Sequence, residues 1–142
     1  MACVSSAQPG LDLLDDAHLR ALFHAMPVLL VAFDPFGRIL CWNAEAERVT
    51  GYSFQELRQA SEGRSALEVL YPNAMERAQI LAEWSRRGND FRDWRLVITC
   101  KDQSLRMISW SCESDLRPIK GWGVWLVGRE VTGSDLCLDF AI

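Results

Sequence analysis

The sequence predicts an α+β domain built on an antiparallel sheet, and three observations carry that prediction. Two short strand-like runs precede a helical stretch, and three further strand runs follow it. Helix-capping signatures recur between the two groups, at Asn43, at Ser53 with Glu56, and at Asn73 with Glu76. Turn signals such as Asp34-Pro35-Phe36-Gly37 separate neighbouring strands. Strands segregated around a helical insert argue for an antiparallel sheet rather than an alternating parallel one.

The elements follow in order. Residues 1–10 mix small and polar types with Pro9 and Gly10 and read as a leader. Leu11, Leu14, Leu19, Leu22 and Phe23 then recur at roughly helical spacing until Pro27 closes the pattern. This helix either packs on its own core or caps a dimer; the pattern fits both. Val28 to Phe33 is a continuous apolar run, expected as a strand buried on both faces. After the Asp-Pro-Phe-Gly turn, Arg38 to Trp42 completes a hairpin. Asn43 caps a helix that runs through Val49 and stops at Gly51. Ser53 opens a short helix over Phe54 to Arg58, a polar loop covers Ala60 to Ser65, and Leu67 to Tyr71 is a brief apolar segment.

Asn73 opens the longest helix, Ala74 to Arg87, with Met75, Ala78, Leu81 and Trp84 roughly along one face and Gly88 at its end. Arg86 and Arg87 suit the negative end of that helix dipole. Phe91 to Cys100 alternates, placing Trp94, Leu96, Ile98 and Cys100 on one side. Lys101 to Ser104 turns the chain into Leu105 to Cys112, Leu116 to Trp122 connects, and Gly123 to Thr132 is the last strand. If that strand is regular, Trp122 and Trp125 point to opposite faces, and an exposed one marks an interface on the outer sheet face.

The bulk numbers exclude several classes. A chain of 142 residues, 49% hydrophobic, fits one globular domain. With 15 Lys+Arg against 19 Asp+Glu, the net charge of −4 offers no basic surface for nucleic acid. No apolar run approaches the roughly 20 residues of a membrane span, so no membrane insertion is expected. The five cysteines, Cys3, Cys41, Cys100, Cys112 and Cys137, are scattered and form no CxxC. They read as reduced, mostly buried thiols of a cytoplasmic protein rather than a disulfide frame or zinc site.

Several matching blocks share a known spacing. Phe33-Asp34-Pro35-Phe36-Gly37-Arg38-Ile39, Trp42-Asn43, Glu47-Arg48-Val49-Thr50-Gly51-Tyr52-Ser53 and Glu56-Leu57 together resemble the N-terminal half of PAS domains. Gly128-Arg129-Glu130-Val131-Thr132 resembles the closing Asp-Ile-Thr segment through which that family connects to its output. The resemblance extends over about Leu19 to Thr132. It implies a PAS-like fold: a five-stranded antiparallel sheet flanked by several short helices and one longer helix, with an N-terminal cap helix. Two departures stand out. Glu130 replaces the family's Asp, and its extra methylene moves the carboxylate away from the linker backbone. Gln103 replaces a turn Gly, which implies a different turn type.

The resemblance also implies a hollow between sheet and helices. Its candidate lining is Val31, Phe33, Cys41, Val49, Leu70, Met75, Leu81, Leu96, Ile98, Trp110 and Trp125, set against the plain alternative that these residues simply fill a core. Glu130, Val131 and Thr132 are the implied signal-transfer residues. No cofactor is expected, while an unidentified small-molecule ligand stays open. Haem is not expected, since His18 and His24 both precede the first strand and Met75 is the sole candidate axial ligand on the long helix. Flavin is not expected, because the Asn-Cys-Arg-Phe-Leu motif of light-oxygen-voltage domains is missing and Cys41-Trp42-Asn43 lies elsewhere. No nucleophile–base pair, phosphate cradle or metal set reads as catalytic.

The resulting expectation is a cytoplasmic, non-enzymatic sensory input domain of a signal-transduction protein, such as a sensor histidine kinase or diguanylate cyclase. It forms a homodimer and passes a signal to an output domain. A ligand-free protein-interaction module is the alternative. Residues 1–18 are read as leader and cap helix, 19–132 as the domain and 133–142 as a linker toward an output domain that the chain does not contain.

Overall fold

The computed structural model describes residues 17–133. Their element order is α1 (Ala17–Ala25), β1 (Leu29–Phe33), β2 (Ile39–Trp42), α2 (Ala44–Thr50), α3 (Phe54–Ala60), α4 (Leu67–Leu70), α5 (Ala74–Arg87), β3 (Phe91–Thr99), β4 (Leu105–Cys112) and β5 (Val124–Glu130). The expected helix start at Leu11 and the tail beyond Gly133 lie outside the described residues.

The strands form one five-stranded sheet in the order β2-β1-β5-β4-β3, every neighbouring pair antiparallel. The first and last strands therefore lie side by side in its middle, with Leu29 opposite Gly128 and Phe33 opposite Val124. One face of the sheet packs on α2 to α5 and holds the main core, in which Leu29, Trp42, Leu57, Ile98 and Ile108 are fully buried. The other face carries a smaller cluster around Ala32 and Cys41, against which Phe23 of α1, Leu40, Trp122 and Trp125 pack.

Local chemistry sets the element ends. Asn43 accepts from the Ala46 N–H at the start of α2, and Gly51 ends that helix at φ 80°. Ser53 and Glu56 form a reciprocal capping box on α3. Asn73 accepts from the Glu76 N–H at the start of α5. The Asp34 carboxylate holds the hairpin turn, accepting from the N–H groups of Phe36 and Arg38 at 2.8 and 2.9 Å.

Three expectations are corrected. The inward face of α5 follows Arg77, Ile80 and Trp84, with only Ile80 buried. Met75 and Leu81 are 77% and 45% exposed. The helix offers apolar residues on two sides, and the bond from Arg77 Nη1 to the Tyr71 carbonyl, 2.7 Å, fixes which side turns inward. Trp122 precedes β5, so strand parity does not govern it, and it shares the outer cluster with Trp125. Gln103 stands at φ 72°, the left-handed conformation a glycine would adopt, so the turn keeps the geometry its residue type disfavours.

Candidate functional site

Between the inner sheet face and the α4–α5 corner lies a cavity with about 30 Å³ open to the centre of a water molecule, room for about two waters. β1 supplies Val31 and Phe33, β2 supplies Trp42, and β5 supplies Leu126. β3 and β4 contribute Phe91, Trp94, Leu96 and Trp110. Leu67, Leu70, Tyr71, Ile80 and Trp84 close it from the helical side. No charged side chain lines it.

Five of the residues anticipated from sequence line this space: Val31, Phe33, Leu70, Leu96 and Trp110. The other six do not. Cys41 pairs with Ala32 across the hairpin and faces the outer cluster, because Trp42, paired with Val31, takes the inward position. Trp125 pairs with Ala32 on that same outer face. Val49 and Ile98 are buried in the main core without reaching the cavity. Met75 and Leu81 look outward from α5. Trp42, Leu67, Tyr71, Ile80, Trp84, Phe91, Trp94 and Leu126 were missed as lining.

One side of the cavity is an aromatic cluster. Trp84, Phe91 and Trp94 meet edge to face, with ring centroids 5.2 to 6.4 Å apart. A bulge in β3 makes this possible. Asp93 at φ 55° inserts an extra residue, so Phe91 and Trp94, three apart, both turn inward opposite Cys112 and Trp110. Arg87 lays its guanidinium over Trp94, 4.6 Å from the ring centroid.

Polar groups of the lining are mostly spent on the protein. Trp42 Nε1 donates to the Tyr52 carbonyl at 2.9 Å and Trp84 Nε1 to Asn89 Oδ1 at 2.8 Å. Deep in the site, Trp110 Nε1 donates to the Tyr71 hydroxyl at 3.2 Å. Burial pushes the Tyr71 phenol well above the ordinary tyrosine range, and the Trp110 bond offsets this only in part.

Trp110 owes its place to Gly128, its partner on β5. A Cβ on Gly128 would stand 2.6 Å from the Trp110 ring. Two residues further on the same face, Glu130 receives Arg106 Nη1 at 3.1 and 3.3 Å on its two carboxylate oxygens. The Val131 N–H extends the β4–β5 ladder by donating to the Met107 carbonyl at 2.9 Å. Glu130 thus braces the sheet through an arginine.

Other chemistry is sparse. Among the described residues no three His, Cys, Asp or Glu side chains gather as a metal site, and no helix is long and apolar enough to cross a membrane. Cys41, Cys100 and Cys112 are buried, and among the described residues they form no disulfide; Cys3 and Cys137 lie outside those residues. Burial raises the Cys100 and Cys112 thiols above their ordinary range, which disfavours thiolate chemistry.

A sheet and a layer of short helices enclosing such a hollow define a class of small α+β domain. A family model for the PAS fold matches residues 17–112, and the chain belongs to the PAS family. No curated protein sequence matches it. Among solved structures, the PAS domain of an HTR-like protein from Haloarcula marismortui is 22% identical, with TM-score 0.57, over 81% of this chain and 90% of that one. A domain of a sensory box sensor histidine kinase/response regulator from Geobacter sulfurreducens is 19% identical, with TM-score 0.55, over 79% and 90%. The PAS domain of a LuxR-family transcriptional regulator from Burkholderia thailandensis, solved in complex with ethanol, is 22% identical, with TM-score 0.56, over 82% and 97%.

Proposed function

We propose that this chain is a non-catalytic sensory input domain whose aromatic-walled cavity takes a small organic ligand and reports its presence through β5. The observation that carries the reading is the contact chain from the cavity to the C-terminal end of β5. Tyr71 holds Trp110, Trp110 rests where Gly128 has no side chain, and Glu130 lies two residues on, followed by Val131 and Thr132. A guest that displaces the Trp110 indole would press on β5. That relatives come from a sensor kinase and a transcriptional regulator, one of them holding ethanol, supports the same reading. The thiols of Cys100 and Cys112, buried and outside any disulfide among the described residues, support a reducing, cytoplasmic setting.

Self-association belongs to this proposal. Leu19, Leu22 and Met26 form an exposed apolar stripe at i, i+3 and i+7, and no residue of α1 is buried. The stripe supports a homodimer that orients an output domain. The small size of the cavity favours the second reading, an interaction module with a filled core.

Native mass spectrometry of the freshly purified chain separates the two. A non-covalent mass increment, or a dimer that α1 deletion (residues 1–24) converts to monomer, is the expected result. A bare chain whose thermal stability ignores small neutral organic compounds would overturn the sensory reading. A dimer unchanged by the deletion would overturn the role of α1.

A further inference from the structure

The cavity contains one buried polar group with bonding capacity left over. A phenol both donates and accepts a hydrogen bond. The Tyr71 oxygen accepts from Trp110, and among the described residues its O–H donates to none. The backbone of Tyr71 is fixed on both sides: its N–H donates to the Leu67 carbonyl at 2.8 Å and its carbonyl accepts from Arg77 at 2.7 Å. The hydroxyl is therefore held in place, in an apolar space, with an unspent proton. A buried donor without an acceptor is costly, and a guest supplying the acceptor relieves that cost.

We infer that Tyr71 is the specificity-determining anchor of the cavity, selecting a small, neutral, largely apolar molecule that carries a single hydrogen-bond acceptor such as a carbonyl or ether oxygen. This rests on the ligand-pocket reading above and adds the chemistry of the guest. A carboxylate is excluded, because one donor cannot replace its hydration, no cation lines the site, and Arg87 behind Trp94 is already ion-paired with Glu83 at 2.6 Å. A cation is excluded as well. The aromatic cluster in the lining meets edge to face, and the Arg87 guanidinium already covers the Trp94 ring with like charge.

The test uses the 142-residue chain and three probes of similar size, butanone, isopentane and isobutyrate, each larger than the two-water hollow and so accommodated only by the displacement of the Trp110 indole proposed above. Binding is followed by NMR, through the indole N–H signal of Trp110. Butanone binds the wild type about tenfold more tightly than Tyr71→Phe, the worth of one hydrogen bond. Isopentane binds both proteins equally, and isobutyrate binds neither. In the wild type alone, the infrared carbonyl band of bound butanone moves to lower frequency. That reading needs no variant, so it stands even if Tyr71→Phe folds poorly.

Equal butanone affinity in the two proteins, an unshifted carbonyl band or tight isobutyrate binding overturns the anchor. If isopentane still binds, the pocket survives that loss. If none of the three probes moves a cavity resonance, the pocket reading falls and the anchor falls with it.

Discussion

Asn43 and Leu30 exchange two hydrogen bonds: the Leu30 N–H donates to Asn43 Oδ1 at 3.0 Å, and the Asn43 N–H donates to the Leu30 carbonyl at 3.2 Å. The same side chain donates to the carbonyls of Phe23 and Val28, both at 2.9 Å, and caps α2 through the Ala46 N–H. One fully buried amide thus ties α1, β1 and α2 together. Asn43→Ala strands several buried backbone groups at once and should cost about 2–4 kcal/mol, read from urea denaturation. Asn43→Asp keeps the cap but turns an oxygen toward two carbonyls. Hydrogen exchange should then show α1 released before the sheet.

Gly128 leaves the space in which Trp110 lies. Gly128→Ala puts a methyl group within 2.6 Å of that ring, against a neighbour already tied to Tyr71. The expected cost is about 1–3 kcal/mol, with a displaced Trp110 indole signal as its signature. An unmoved signal would break the proposed route from cavity to β5.

Gln103 pays a steric penalty at φ 72°. Gln103→Gly relieves it, while the freer unfolded chain takes part of the gain back. A net stabilisation of about 0.5–1 kcal/mol, a rise of a few degrees in Tm, is expected, with no change in ligand binding.

Tyr71 sets an alkaline limit. Its phenol is raised in the folded chain by burial, so the folded state resists giving up that proton. The contribution is fully present below the ordinary tyrosine value of 10.0 and is lost as pH rises above it. Stability of the wild type relative to Tyr71→Phe should fall by about 1.4 kcal/mol per pH unit beyond that point. Parallel stability curves for the two proteins would show that the hydroxyl is not buried in solution.

What the sequence revealed was local. The caps at Asn43, Ser53 and Asn73 depend on residues three apart, and the bounds of α5 follow from Asn73 and Gly88 alone. The cavity depends on longer-range facts. Whether Cys41 or Trp42 faces inward turns on the hairpin register, which shifts between Ala32 and Phe33. Phe91 joins Trp94 on one face only because Asp93 bulges the strand, and strict alternation separates them. Ile80 rather than Met75 turns inward because Arg77 is bound to a carbonyl outside its own helix. A tyrosine placed directly before a proline and a helix cap carried no signal of its role as a polar tip in an apolar space.

The central pairing of β1 with β5 has a mechanical consequence. Because the two strands run antiparallel, the chain enters β1 and leaves β5 at the same end, where Leu29 faces Gly128. Tension between the segments that precede and follow the domain would load this pair like a zipper, opening one rung at a time from Leu29–Gly128 inward. The first rung to part would be the one that makes room for Trp110. Pulling on the termini and filling the cavity therefore act on the same lever arm, from opposite sides.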